Sequence, residues 1–483
     1  MTARGHPLKL VLVALLVAAS VMGARVALPG HAASAQAQSP SKVLAWGFGA
    51  DGQLGDGTTD DSLTPAQVMN LPANDPVVAV AGGSFHSMAL TAKGQVWTWG
   101  ANFSGQLGDG TTNDSSTPVQ VVGLPMNDAV MAIAAGGGHS LALTAKGQVW
   151  AWGANFSGQL GDGTMIDKST PVQVKGLPDP AADPVIAIAG SGAYSLALLK
   201  SGQVYVWGTP PGFARASFTS TPVPVTGLPD VVAIAAGPAH SLAVTANGQV
   251  WAWGDNSTGQ LGDGTTANSA TPVPVVGLPA DDPVVAVGAG GFSRVGAHSL
   301  ARTKGGRVFA WGWNCCGQLG DGTTTDSVTP VLVKSLPLND PVIAIAAGAA
   351  HSLALTASRQ VWAWGYNDHG QLGDGTTTQR TIPVQVSILP NDPVIAIAAG
   401  DFHSLAVNEL VTPTPTPTET PTATPTVTPT ATPTEAPTPV PTASPSLPGL
   451  PNTGAHPVEA IQLAPAELGG GTVQAGRDRQ RKL

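Results

Sequence analysis

Six histidines and one tyrosine return at one register of the chain, each followed by serine: His86, His139, Tyr194, His240, His298, His351 and His403. Imidazoles at equivalent points of a repeat are raw material for a metal cage or a set of general bases. Each of these lies in a Gly-rich turn entering a strand-like run, where a bond to neighbouring backbone gives it a structural task. No His pair or carboxylate cluster has zinc-ligand spacing. Leu-Gly-Asp-Gly-Thr occurs six times, with Asp56, Asp109, Asp162, Asp263, Asp321 and Asp374. An Asp between glycines ties its own turn through backbone N–H groups, and the alternating acids of a calcium loop are missing. Cys315 and Cys316 are the only cysteines. In an oxidising compartment they either close a vicinal disulfide or stay free or intermolecular. No nucleophile–base pair accompanies these groups, so the sequence predicts no catalytic residue, metal or cofactor.

What positions these residues is a repeat. A Trp-Gly step returns at Trp46, Trp99, Trp152, Trp207, Trp253, Trp311 and Trp364, at spacings of 53, 53, 55, 46, 58 and 53 residues. Such a period marks an array of one supersecondary unit that is stable only by stacking on its neighbours. A full unit holds four strand-like runs, as in Val130–Ala135, His139–Leu143, Gln148–Gly153 and Thr170–Val174. Short Ala-Lys-Gly or Ala-Asn-Gly turns predict a hairpin between the second and third. The first run is apolar at nearly every position, as in residues 185–189, which predicts a strand covered on both faces. Its Ala and Gly suit the inner edge of a radial fold. Pairs such as Trp97/Trp99 and Trp150/Trp152 share a strand face, and all twelve Trp fall at or beside such positions. They predict aromatic packing between neighbouring sheets.

The two series are offset. Trp46 has no His-Ser run before it, and His403 has no Trp-Gly run after it. Ring closure accounts for both ends: strands around His403 pair with Val43–Gly47 in one shared blade, which removes the edges of an open array. The fold predicted is all-β, a seven-bladed propeller over residues 42–409 that acts as a monomer. That span holds 14 basic and 25 acidic residues, a balance repelled by phosphate backbones, so nucleic acid is excluded as a partner.

The unit Gly-x-x-His-Ser-x-x-Leu…Gly-x-Val-x-x-Trp-Gly-x-Asn-x-x-Gly-Gln-Leu-Gly resembles the repeat of the regulator of chromosome condensation family. The resemblance spans all seven units and implies a seven-bladed propeller with a shared closing blade. Members act as exchange factors for a small nuclear GTPase, as a plant ultraviolet photoreceptor and as a secreted bacterial inhibitor of beta-lactamase, so fold does not fix function.

The flanks differ from the array. Arg4 and Lys9 precede an apolar run, Leu10 to Gly23, and the small residues 33–37. That order predicts a secretory signal over residues 1–37, with no membrane span after its cleavage. Residues 412–448 are a Thr/Pro-rich tract with too few apolar residues for a core, read as an extended stalk. Within the tail 449–483, Leu450, Pro451, Asn452, Thr453 and Gly454 match the sorting signal of Gram-positive surface proteins. The resemblance implies cleavage between Thr453 and Gly454, although the segment that follows is only weakly apolar.

Two departures from the repeat fall where the His turns and the Leu-Gly-Asp-Gly-Thr loops open on a common face. Residues 209–218 replace one loop, bringing Phe213, Arg215 and Phe218; residues 291–295 lengthen one turn, bringing Phe292 and Arg294. Aromatic and Arg side chains are favoured binding anchors. The sequence thus predicts an exported, non-enzymatic propeller that binds an extracellular protein or cell-envelope ligand. A secreted inhibitor of another protein, or a GTPase exchange factor, are the alternatives.

Overall fold

The computed structural model describes residues 41–209, 218–292, 295–386 and 393–409. The signal-like segment, Phe213, Arg215, Arg294, the Thr/Pro tract and the motif at 450–454 lie outside these residues. Among the described residues, twenty-eight strands form seven four-stranded antiparallel sheets, the blades of a propeller. Blades 1 to 6 span residues 77–120, 130–173, 185–224, 231–274, 284–332 and 342–385. Blade 7 is composite. Its two inner strands are Val394–Ala399 and His403–Glu409, and its two outer strands are Ser41–Gly47 and Ser62–Gln67. The seam pairs without interruption from Ser41 against Glu409 to Gly47 against His403, which is the shared blade that the offset of the two series requires.

Seven apolar clusters hold the ring, one at each interface between blades. Alternation along Ser41–Gly47 divides its side chains between two of them. Leu44 and Trp46 pack with Leu353 and Val361 of blade 6, while Val43 and Ala45 pack with Val77, Ala89 and Trp99 of blade 1. One seven-residue strand therefore closes two interfaces.

The tryptophans of the seven Trp-Gly steps are at most 1% exposed. Among the described residues six of them, all but Trp253, donate the indole N–H to a loop of the preceding blade, as Trp99 does to the Gln53 carbonyl at 2.9 Å and Trp152 to Gln106 at 3.0 Å. The glycine after each Trp is required. Gly100 has φ +107°, and a Cβ there would lie 2.5 Å from the carbonyl oxygen of Phe85. Prolines such as Pro118, Pro171 and Pro383 sit in the outermost strands, where a missing N–H blunts the free edge.

Two sequence expectations need correction. The apolar first run is not the strand covered on both faces: Val185–Ser191 is half-buried at all but its first position, because its free edge faces the ring axis. The strand buried throughout is the second, Tyr194–Leu199 in this blade, which has a sheet on either side and a strand at each edge. Trp313 also departs, for it packs on the loop face against Phe292 and not between sheets.

Candidate functional site

Beneath the loop face runs a closed circuit of polar groups. Nε2 of His86 lies 2.9 Å from Ser140 Oγ, and His139 stands in the same relation to Ser195, His240 to Ser299, His298 to Ser352, His351 to Ser404 and His403 to Ser87, at 2.8–3.0 Å. The bond therefore reaches the next blade's serine, not neighbouring backbone. Each of these six hydroxyls donates to the main-chain carbonyl of a loop glutamine, such as Ser140 to Gln106 at 2.9 Å and Ser87 to Gln53 at 2.8 Å. With its proton so committed, each serine accepts from the imidazole, which fixes the hydrogen on Nε2 and leaves Nδ1 bare. All six imidazoles are fully buried. Burial pulls His86 down to about 4 and the other five down to about 3, with neighbouring imidazoles of the circuit adding to several. They are neutral struts.

Blade 3 changes two parts of this circuit together. Tyr194 stands in for histidine, and residues 209–218 contain no glutamine. The Tyr194 hydroxyl lies 2.9 Å from Ser241 Oγ and within 2.9 Å of the carbonyls of Gly237 and His240. A phenol accepts a proton from Ser241 while donating its own to a carbonyl; an imidazole protonated on Nε2 only donates. Tyrosine thus joins the circuit through a hydroxyl that can both donate and accept, where the histidines of the other blades only donate.

The repeated aspartates are occupied locally. Asp109 Oδ1 accepts the N–H and hydroxyl of Thr111, both at 2.9 Å, and the Asn102 side chain bridges Asp109, Thr111 and Leu107. Among the described residues no group of three His, Cys, Asp or Glu could hold a metal ion. Cys315 and Cys316 are bonded to each other, and the exposed Cys315 lies two residues beyond Trp313 on the loop face.

Turns between inner strands and loops between outer strands do emerge together, since the Phe48 N–H donates to the Phe402 carbonyl at 3.0 Å. On that face one sector is aromatic. The Phe402 ring is 5.2 Å from Phe292, 5.7 Å from His369, 6.2 Å from Tyr366 and 6.3 Å from Phe48; Trp313 stands 6.1 Å from Phe292. All six rings keep partial exposure. His369 Nδ1 meets Asp61 at 2.8 Å, and burial together with the adjacent Asp368 carboxylate pushes the Tyr366 phenol up to about 12.

Of the anchors named from sequence, Phe292 joins this sector, whereas Phe218, 49% exposed, belongs to blade 3. Phe48, Trp313, Tyr366, His369 and Phe402 were missed. Their signal lies in the residue after Trp-Gly: Phe48, Trp313 and Tyr366 in blades 7, 5 and 6, against Ala101, Ala154, Thr209 and Asp255 elsewhere.

The model of the RCC1-like domain matches residues 24–295 and 128–412. The ultraviolet-B receptor UVR8 of Arabidopsis thaliana is 31% identical over 357 residues, covering 72% of this chain and 78% of the receptor. The mitochondrial RCC1 domain-containing protein RUG3 of the same plant is 31% identical over 388 residues, covering 76% and 75%. The crystal structure of Prp20p from Saccharomyces cerevisiae superimposes with a TM-score of 0.68 at 24% identity, covering 78% of this chain and 93% of that one.

Proposed function

Since the chain belongs to the RCC1-like domain family, we propose that it is an exported, non-enzymatic binding module that takes a protein partner on its loop face, over the aromatic sector of blades 5, 6 and 7. Propellers of this family bind proteins, as in yeast RCC1 bound to Kap60. The observation that carries the reading is the contact of six partly exposed rings from blades 5, 6 and 7 in one cluster, three of them at the residue after Trp-Gly, which is Ala, Thr or Asp in the other blades. Contiguous exposed aromatic surface on a rigid scaffold marks an interaction site. Export is supported by the order of basic, apolar and small residues before residue 38, and display or release at a cell surface by the Thr/Pro tract and the Leu450–Gly454 motif.

The test compares the intact chain with Phe48→Ala/Tyr366→Ala/Phe402→Ala as bait for culture-supernatant and cell-envelope fractions. Wild type should retain a partner that the triple variant loses, while both unfold at similar temperatures. Equal retention would overturn the assignment of this sector.

A further inference from the structure

The axis of the ring holds a cavity of about 260 Å³, lined by the ends of the innermost strands and the turns that follow. This is just under the range of roughly 300–1,000 Å³ typical of ligand pockets, so it suits a single side chain and not a bulky molecule. Glycine and alanine make most of its wall. Among the described residues Asp401 is its one charged lining residue and Phe292 its one aromatic.

Asp401 is another departure from the repeat. The first residue of the turn before the ring His is Ser84 in blade 1, Gly137 in blade 2, Pro238 in blade 4 and Ala349 in blade 6. Its backbone is tied on both sides: its N–H donates to the Gly83 carbonyl at 3.3 Å, and its carbonyl accepts from Ala349 at 3.1 Å. Its carboxyl is desolvated, which pushes it up to about 6 against the opposing effect of a hydrogen bond from Ser84. Among the described residues no Lys or Arg forms an ion pair with it. The next residue is Phe402, whose ring packs on the lining residue Phe292.

A carboxylate in a narrow axial cavity, beside Phe292 and the Phe402 ring that packs on it, is complementary to a cation whose own hydration is weak. A guanidinium meets that description: it is planar, loosely hydrated and stacks on rings, whereas an ammonium holds its water tightly. Resting on the loop-face reading above, we infer that the channel mouth receives one arginine side chain of the protein partner, with Asp401 as counter-charge and Phe292 and Phe402 against the guanidinium plane. The acidic loop face, with Asp51, Asp61, Asp255 and Asp368 on it, favours approach of such a partner.

Calorimetric titration of the intact chain with acetyl-Ala-Ala-Arg-Ala-Ala-amide and its citrulline counterpart, which keeps the shape and loses the charge, tests the inference. An Arg294→Ala background is run alongside so that the chain's own guanidinium cannot stand in for the ligand's. The arginine peptide should bind about tenfold or more tightly than the citrulline peptide, in keeping with loss of a desolvated charge pair. Asp401→Asn should reduce the arginine peptide to the citrulline level without lowering the unfolding temperature. Equal binding of the two peptides, or an unchanged affinity in Asp401→Asn, would overturn the site. Agmatine binding as tightly as the peptide would overturn its assignment to a protein side chain. Because Asp401→Asn is absent from the aromatic triple variant, this site and the loop-face reading fail separately.

Discussion

His403 and Phe402 are consecutive residues that belong to two different regions. His403 is wholly buried, neutral and bonded to Ser87 of the next blade, a relation repeated six times around the ring. Phe402 faces outward among rings drawn from three blades, in an arrangement that no other blade shares. In a molecule of near-identical units, a feature that repeats has to serve what every unit needs, which is attachment to the next one. A feature found in one sector is free of that duty. The buried circuit is scaffold, and the aromatic sector is where this particular chain differs from a generic ring.

The largest expected effect tests the circuit. The six imidazoles have ordinary values of about 6.5 in the unfolded chain and are depressed to about 3–4 when folded. Their contribution is complete above pH 6.5 and is lost as pH falls through that window. Each loses about 1.4 kcal/mol per pH unit, so the six together lose about 8 kcal/mol per unit. A net stability of about 5–15 kcal/mol is then exhausted about one to two units below 6.5. Tryptophan fluorescence followed against pH should show a steep, cooperative transition near pH 5 with uptake of several protons. A shallow transition near pH 3 would mean that the imidazoles carry no such linkage.

Removal of Ser41–Gly47 comes next, because it strips the apolar faces that blade 7 presents to both neighbours. Most of the stability should go with these seven residues, and a truncated chain that melts like the intact one would contradict the shared blade. Trp152→Ala should cost about 3–5 kcal/mol in denaturant unfolding, as for other buried aromatic truncations; a loss below about 1 kcal/mol would show that the indole is not a core element. Tyr194→His should cost about 1–3 kcal/mol by removing the phenol's hydrogen bond to the buried Gly237 carbonyl, although it restores the repeat. A variant as stable as wild type would remove the hydrogen-bond argument for tyrosine. Smallest is Phe402→Ala, near the roughly 0.5 kcal/mol of surface changes, even though partner capture should fall.

The architecture was legible because offset series of Trp-Gly and His-Ser can be completed only by joining the chain's ends. What each His bonds was not legible, since the register between blades is set by packing and not by any local pattern. The inner strand was misread because an apolar run does not say whether its second neighbour is another sheet or an axial channel. The aromatic sector left a trace at Phe48, Trp313 and Tyr366, one residue after each Trp-Gly. Phe48 lies about 265 and 320 residues before Trp313 and Tyr366 in sequence, and closure alone brings it into their sector. Phe292 was visible as part of an insertion, but nothing in the sequence tied it to Phe402.

The most direct measurement is a hydrogen-exchange footprint of the intact chain with its captured partner. Protection should appear in the turns and loops at residues 47–61, 291–297, 312–316, 365–379 and 400–402. The hairpin turns on the opposite face, such as 92–95 and 145–148, should exchange as in the free protein. Protection concentrated on those hairpins, with the sector around Phe402 unchanged, would contradict a loop-face site and make the aromatic departures incidental to binding.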